Sequence, residues 1–247
     1  MSAKFSRPDL SGQTAVVTGA SSGIGRAIAL SLADLGVNLC LLGRKLETLK
    51  ETSNIVKSTN ISVKGYRVDL TLDEDIAEFE AVMKQEVGHV DILIHSAGII
   101  SIGLFDHALV EDFDLQYKIN VRAPYVLTKA LLPVIKSSQG QIVFINSSVG
   151  LNARANVGQY AATKHALKAV ADSLREEINA DGVRVLSVFL GRTASPMQTA
   201  VHKMEGSVYH PELLIQPEDV ACVVTNALCL PRSAEVTDIH IRPLKKL

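Results

Sequence analysis

Seven short apolar runs recur along the chain, and most are followed by a longer amphipathic stretch. The runs are Thr14 to Thr18, Val37 to Leu42, Ile61 to Val68, Val90 to His95, Gln141 to Asn146, Val183 to Leu190 and Val236 to Ile241. Each is β-branched or leucine-rich and nearly continuous in apolarity, the pattern of a strand buried on both faces of a parallel sheet. Between them Ile24, Ile28, Leu32 and Leu35, and later Leu167, Val170, Leu174 and Ile178, recur at helical spacing. Strand and helix alternating over the whole length predict an α/β fold: a doubly wound parallel sheet with helices on both faces, reached through right-handed crossovers. No Gly/Ser/Pro-rich linker, repeat or low-complexity tract interrupts the pattern, so residues 1–247 read as one domain.

Bulk properties narrow the partners. The formal net charge of −1 does not advertise nucleic acid or an acidic membrane surface. No apolar run reaches the roughly 18 residues of a membrane span. Met1 to Leu10 lacks the apolar core of a secretory signal, so a cytoplasmic protein is expected. Cys40, Cys222 and Cys229 do not suggest a disulfide framework, and the seven histidines show no ligand spacing, so no metal is expected.

The first strand runs into Thr18-Gly19-Ala20-Ser21-Ser22-Gly23-Ile24-Gly25, and a helical pattern follows at once. Glycine permits positive φ and lets a phosphate approach the backbone, while a helix N-terminus offers free N–H groups and partial positive charge. The spacing G-x-x-x-G-x-G differs from the commoner G-x-G-x-x-G, but its place between strand and helix points to a dinucleotide site. Far downstream lies Tyr160-Ala161-Ala162-Thr163-Lys164. Residues four apart share a helix face. A phenol with a free pKa of about 10 is a slow base at neutral pH, and a neighbouring ammonium, together with a cationic nicotinamide, would lower that value. One face thus offers an acid/base and its tuner. Alone the spacing is weak, since Tyr and Lys four apart occur on many helices.

Taken together, these motifs resemble those of the classical short-chain dehydrogenases/reductases, and the resemblance runs from about Leu10 to the C-terminus. It implies a Rossmann-type sheet of about seven strands in the order 3-2-1-4-5-6-7. It also implies hydride transfer between a nicotinamide cofactor and a small-molecule carbonyl or secondary alcohol. Gly19, Ser21, Ser22, Gly23, Ile24 and Gly25 would cradle the cofactor. NAD-binding members carry an acid at the end of the second strand; here Gly43 stands there and Arg44 follows, which favours a 2′-phosphate and hence NADP(H). Asp69 and Leu70 would meet the adenine. Ser96, Ala97 and Gly98 correspond to the end of the family's N-N-A-G, with His95 and Ser96 replacing the asparagines; His95 reads as a packed, hydrogen-bonded residue. The catalytic serine typically lies thirteen residues before the tyrosine, which selects Ser147 over Ser148. Its hydroxyl would orient the carbonyl, Tyr160 would act as general acid/base, and Lys164 would tune it and hold the ribose. Asn120 would complete a proton relay. Gly191, Thr193 and Ser195 match a further cofactor-contacting stretch, in which Leu190 and Ser195 replace the usual proline and threonine.

Some members of this fold bind nucleotide as sensors or scaffolds without turnover, but those usually lack the tyrosine or the lysine. The helices around Leu115 to Ile135 and Val157 to Ile178 carry apolar residues on more than one side, and the resemblance implies that they pair in a homodimer or homotetramer. Ile99 to Glu111 and Gly191 to Pro217 are expected to be irregular walls of the site, with Gln198 to Pro211 forming a mobile flap.

Overall fold

The computed structural model describes residues 8–56 and 60–245; the part of the N-terminal stretch before residue 8 lies outside them. Seven parallel strands form one sheet: β1 (Thr14–Thr18), β2 (Asn38–Gly43), β3 (Val63–Arg67), β4 (Ile92–His95), β5 (Gln141–Ser147), β6 (Arg184–Leu190) and β7 (Asp238–Ile241). Their order is β3-β2-β1-β4-β5-β6-β7, as the resemblance implied. The chain starts at the centre, winds outward to β3, returns to β4 and continues to β7. That reversal beside β1 opens a crevice at the carboxyl ends of β1 and β4.

Side chains of β1 show why the sheet is covered twice. Ala15 and Val17 pack into a core shared with α1 (Gly23–Asp34), α2 (Leu46–Ile55) and α8 (Pro217–Leu228), through Ile28, Leu32, Leu49, Val220 and Val224. Val16, one residue out of phase, packs on the other face. There it joins Phe79 of α3 (Asp73–Val82), Leu127 and Leu131 of α5 (Ala123–Ser137) and Leu167 of α6 (Gly158–Ile178). The edge strands depart furthest from continuous apolarity. β3 reads VKGYR and β7 reads DIHI, both partly exposed, because an edge strand lacks cover on one side. These two, like central β4, are shorter than their apolar runs suggest.

Two segments differ from expectation. The stretch from Gly191 to Pro217 is not wholly irregular, and the expected flap begins in a helix: α7 spans Pro196–Met204, with Ser195 as its N-cap and Pro196 in its first turn. Beyond it Glu205 is gripped by both terminal nitrogens of Arg192, at 2.8 and 2.6 Å. The helix preceding β5 is divided. α4 (Val110–Tyr117) continues into a wide π turn over Lys118–Arg122 and then into α5. Pro124 has no N–H to give to the carbonyl of Asn120 four residues before it, so one rung of the ordinary ladder is missing beside the π turn.

Candidate active site

The glycine-rich turn leaves β1 at Thr18, whose hydroxyl donates to the Ile94 carbonyl (3.2 Å) and accepts from the N–H groups of Ser96 (3.0 Å) and Ala97 (3.1 Å). One side chain thus lashes the end of β1 to the end of β4. Gly19 has φ +66°, and a Cβ there would stand 2.9 Å from the Ala97 nitrogen; a Cβ on Gly25 would collide with the Gly19 carbonyl oxygen. These glycines are therefore required by close backbone approach. Ser22 caps α1 without a side-chain hydrogen bond, and the first turn of α1 carries no acid. Its N–H groups and partial positive charge remain available to an anion. Arg26 donates to the Ser21 carbonyl and steadies the turn. The turn thus offers the free N–H donors that a dinucleotide pyrophosphate needs.

Beside it, Gly43 ends β2 and Arg44 stands exposed, without an ion pair among the described residues. Asp69 is held below the usual carboxylate range, first by the Thr71 N–H and further by the Thr71 hydroxyl and the charge of Arg44. Its Oδ1 accepts both Thr71 groups, at 2.9 and 2.8 Å, so one carboxylate oxygen is spent on the turn itself. Leu70 packs against the core of the α3 side.

Ser147 is the last residue of β5, and Tyr160 and Lys164 lie on the first turns of α6. All three line one cleft of about 1180 Å³, together with Ile24, Ser96 and Gly98. Burial pushes the Tyr160 phenol up to about 12, while its hydrogen bond with the Ser147 hydroxyl pulls the other way. Burial alone pushes Lys164 down to about 8. In this structure burial outweighs any lowering of the phenol by the nearby ammonium. Lys164 Nζ lies 5.7 Å from the centre of the Tyr160 ring and donates to the Ile145 carbonyl at 3.0 Å, so the ammonium is anchored on β5 within reach of the phenol.

Asn120 sits in the π turn, buried. Its Oδ1 accepts from the Ile99 N–H (2.9 Å), and its Nδ2 donates to the Ile99 carbonyl (2.9 Å) and to the Thr163 hydroxyl (3.1 Å). It thereby fastens the chain leaving Gly98 to α6. His95 is packed as its sequence context suggested: it stacks on Phe144 at 4.8 Å and shares a 2.8 Å hydrogen bond with the Thr128 hydroxyl.

On the far side, Gly191 donates to Ile241 (2.8 Å) and the Thr193 hydroxyl donates to Gly191 (3.1 Å). The Ser195 hydroxyl accepts from the Gln198 N–H at 3.3 Å, and the Ser195 Cβ would lie 3.3 Å from a Cβ on Gly23. Ser195 therefore faces the glycine turn, but its oxygen already caps α7. Sequence reasoning missed Gln116. This fully buried side chain accepts from the Ser101 N–H (3.0 Å) and donates to Gln159 (3.2 Å), which in turn donates to Leu109 (2.8 Å). Its spacing four residues before Asn120, on the same helix face, was the available signal.

The glycine-rich turn, the Tyr160–Lys164 pair and a polar clamp thus meet at one end of the sheet. A family model described as short chain dehydrogenase matches residues 13–206. An uncharacterized oxidoreductase of Staphylococcus epidermidis is 32% identical over 234 residues, covering 94% of this chain and 97% of that protein. Among solved structures, an alcohol dehydrogenase from the archaeon Thermococcus sibiricus, complexed with 5-hydroxy-NADP, is 25% identical with a TM-score of 0.87, over 95% of this chain and 98% of that one. A metagenomic short-chain oxidoreductase in complex with NADP is 29% identical with a TM-score of 0.83, over 97% of this chain and 100% of that one. With sheet order, motifs and a match across most of its length in agreement, the chain belongs to the short-chain dehydrogenase family and is an oxidoreductase of that family.

Proposed function

We propose that the protein catalyses reversible reduction of a small carbonyl compound to a secondary alcohol with NADP(H). The observation that carries this reading is the convergence of Ser147, Tyr160 and Lys164 in one cleft beside the glycine turn. The turn from Gly19 to Gly25 and the N-terminus of α1 would hold the pyrophosphate, Arg44 the 2′-phosphate, and Asp69 and Leu70 the adenine side. Ser96, Ala97, Gly98, Gly191, Thr193 and Ser195 would line the remainder, and Lys164 would hold the ribose. When bound, the nicotinamide supplies the hydride or accepts it.

The side chains do the proton work. A phenol pushed up to about 12 is protonated at neutral pH, the form a general acid needs. Tyr160 gives its proton to the carbonyl oxygen, and the Ser147 hydroxyl donates to the same oxygen and shares its developing charge. Lys164, charged below about 8, offsets the phenolate left behind. The Asn120 carbonyl, deprived of its Pro124 donor, is an acceptor on the route by which Lys164 regains protons from solvent. Phe113, Leu115, Tyr117 and Tyr125 are exposed apolar groups on α4 and α5, and we assign them to contact with a second copy of the chain.

The test is Tyr160→Phe against Lys164→Ala. The phenylalanine keeps the ring and loses the acid, so kcat on a carbonyl panel should fall by about 10²–10⁴-fold while the NADPH dissociation constant holds. Lys164→Ala should damage both. A Tyr160→Phe enzyme that keeps most of its kcat would refute the mechanism.

A further inference from the structure

The cleft beyond the reacting carbonyl carries an unbalanced charge. Its ionisable lining beyond Tyr160 comprises Arg154, Lys164, Arg192, Glu205, Arg242 and Lys245. Two of the five cations are accounted for: Lys164 is turned to the Ile145 carbonyl, and Arg192 is cancelled by its two-pronged grip on Glu205. Arg154, Arg242 and Lys245 have neither an ion pair nor a side-chain hydrogen bond among the described residues.

The positions of these cations separate them from cofactor binding. Arg154 lies on the connection after β5 and Arg242 directly after β7. The glycine turn and Arg44 follow β1 and β2, on the other side of β4 in the sheet. The free cations therefore flank the substrate half of the cleft. Their backbones are fixed. The Arg154 connection is tied by the Gly103 N–H to the Asn156 carbonyl (2.8 Å), and the Arg242 segment by the Gly191 N–H to Ile241 (2.8 Å). Pro243 lies so close to Gly191 that a Cβ there would meet its ring at 2.8 Å. The same cleft also presents the apolar side chains of Ile102, Val149, Met197, Val201 and Met204.

We propose that the substrate is an oxo compound with an apolar middle and an anionic terminus, a carboxylate or phosphate, held at the mouth of the cleft by Arg154 and Arg242. The guanidinium fork fits either group with two parallel hydrogen bonds, and the net positive mouth raises the local concentration of anions. This rests on the carbonyl-reductase reading and names the substrate class for it.

The experiment compares straight-chain oxo acids with their methyl esters and with oxoalkyl phosphate monoesters of matched length, using NADPH and the full chain. The acid or the phosphate should exceed the ester by about ten- to a hundredfold in kcat/KM, carried by KM, and the larger ratio identifies the anion. In the Arg154→Ala/Arg242→Ala double variant that ratio should collapse toward one, and in the unmodified enzyme it should shrink as salt rises. A second arm needs no turnover: octanoate, octyl phosphate and octanamide are titrated into the NADPH-loaded enzyme, and binding is read from cofactor fluorescence. If no carbonyl is reduced, the reductase reading falls, and this arm still decides whether an anion site exists. Esters or octanamide performing as well as the anions would overturn the proposal. So would a preference that survives the double variant, or a variant whose only effect is a changed sedimentation coefficient.

Discussion

His95 offers a measurement of burial that needs no substrate. It occupies the last position of β4, is 3% exposed, stacks on Phe144 and bonds the Thr128 hydroxyl. Burial pushes its imidazole from 6.5 down to about 3. Between those values the unfolded chain binds a proton that the folded chain refuses. Stability contributed by the neutral ring is therefore complete above about pH 6.5 and is lost progressively as pH falls toward 3. At about pH 5 the unfolded imidazole gains about 1.5 pH units of protonation free energy, or about 2 kcal/mol. For a chain of this size that is a drop in Tm of about 4–8 °C attributable to one side chain. His95→Asn keeps a group able to bond Thr128 but does not titrate. The variant will lose packing against Phe144 and melt lower at neutral pH, so the readout is each protein's own change in Tm between about pH 7.5 and about pH 5. Circular dichroism melts at matched ionic strength should show the larger change in the unmodified protein. Equal changes in both would refute the claim that a neutral, buried His95 carries acid sensitivity.

Further outcomes follow from the candidate site. Arg44→Ala should cost NADPH about ten- to a hundredfold in kcat/KM and leave NADH nearly unaffected, because one charge-assisted contact is lost; equal losses for both cofactors would reject the 2′-phosphate assignment. The reductive kcat/KM should stay level below about pH 8 and fall above it as Lys164 loses its proton, while Tyr160 at about 12 remains protonated; a rate rising through that range would contradict the assignment. Gln116→Leu should raise KM more than it lowers kcat, because it frees Ser101 and Gln159, chain neighbours of the cleft-lining Ile100, Ile102 and Tyr160; an unchanged KM would show that the clamp is dispensable.

The sheet was readable because a parallel strand buried on both faces must be apolar throughout, and such runs stand out. β1, β5 and β6 fall within a residue of their runs, whereas β3 and β7, lacking cover on one side, taper into polar sequence. The glycine turn and the Tyr160–Lys164 pair were visible because each is compact in sequence. α7 begins at Ser195 and Pro196, an ordinary helix start, but lies in a stretch whose few large apolar residues point to a loop. The orientation of Lys164 was not readable, since a spacing of four residues gives a shared face but not the carbonyl of a neighbouring strand that captures the ammonium. Nor was the cationic mouth, whose arginines are separated by most of a hundred residues and meet only through strand order.

The division of the interior has its own consequence. Helix α1, which the glycine turn introduces, belongs to the apolar layer on one face of the sheet; α6, which carries Tyr160 and Lys164, belongs to the other. A dinucleotide reaching from the turn to Lys164 would act as a rivet through both layers at their shared rim. The free energy of its binding would then oppose the peeling away of either layer, so retained ligand would report the integrity of the whole sandwich rather than of the face it happens to touch.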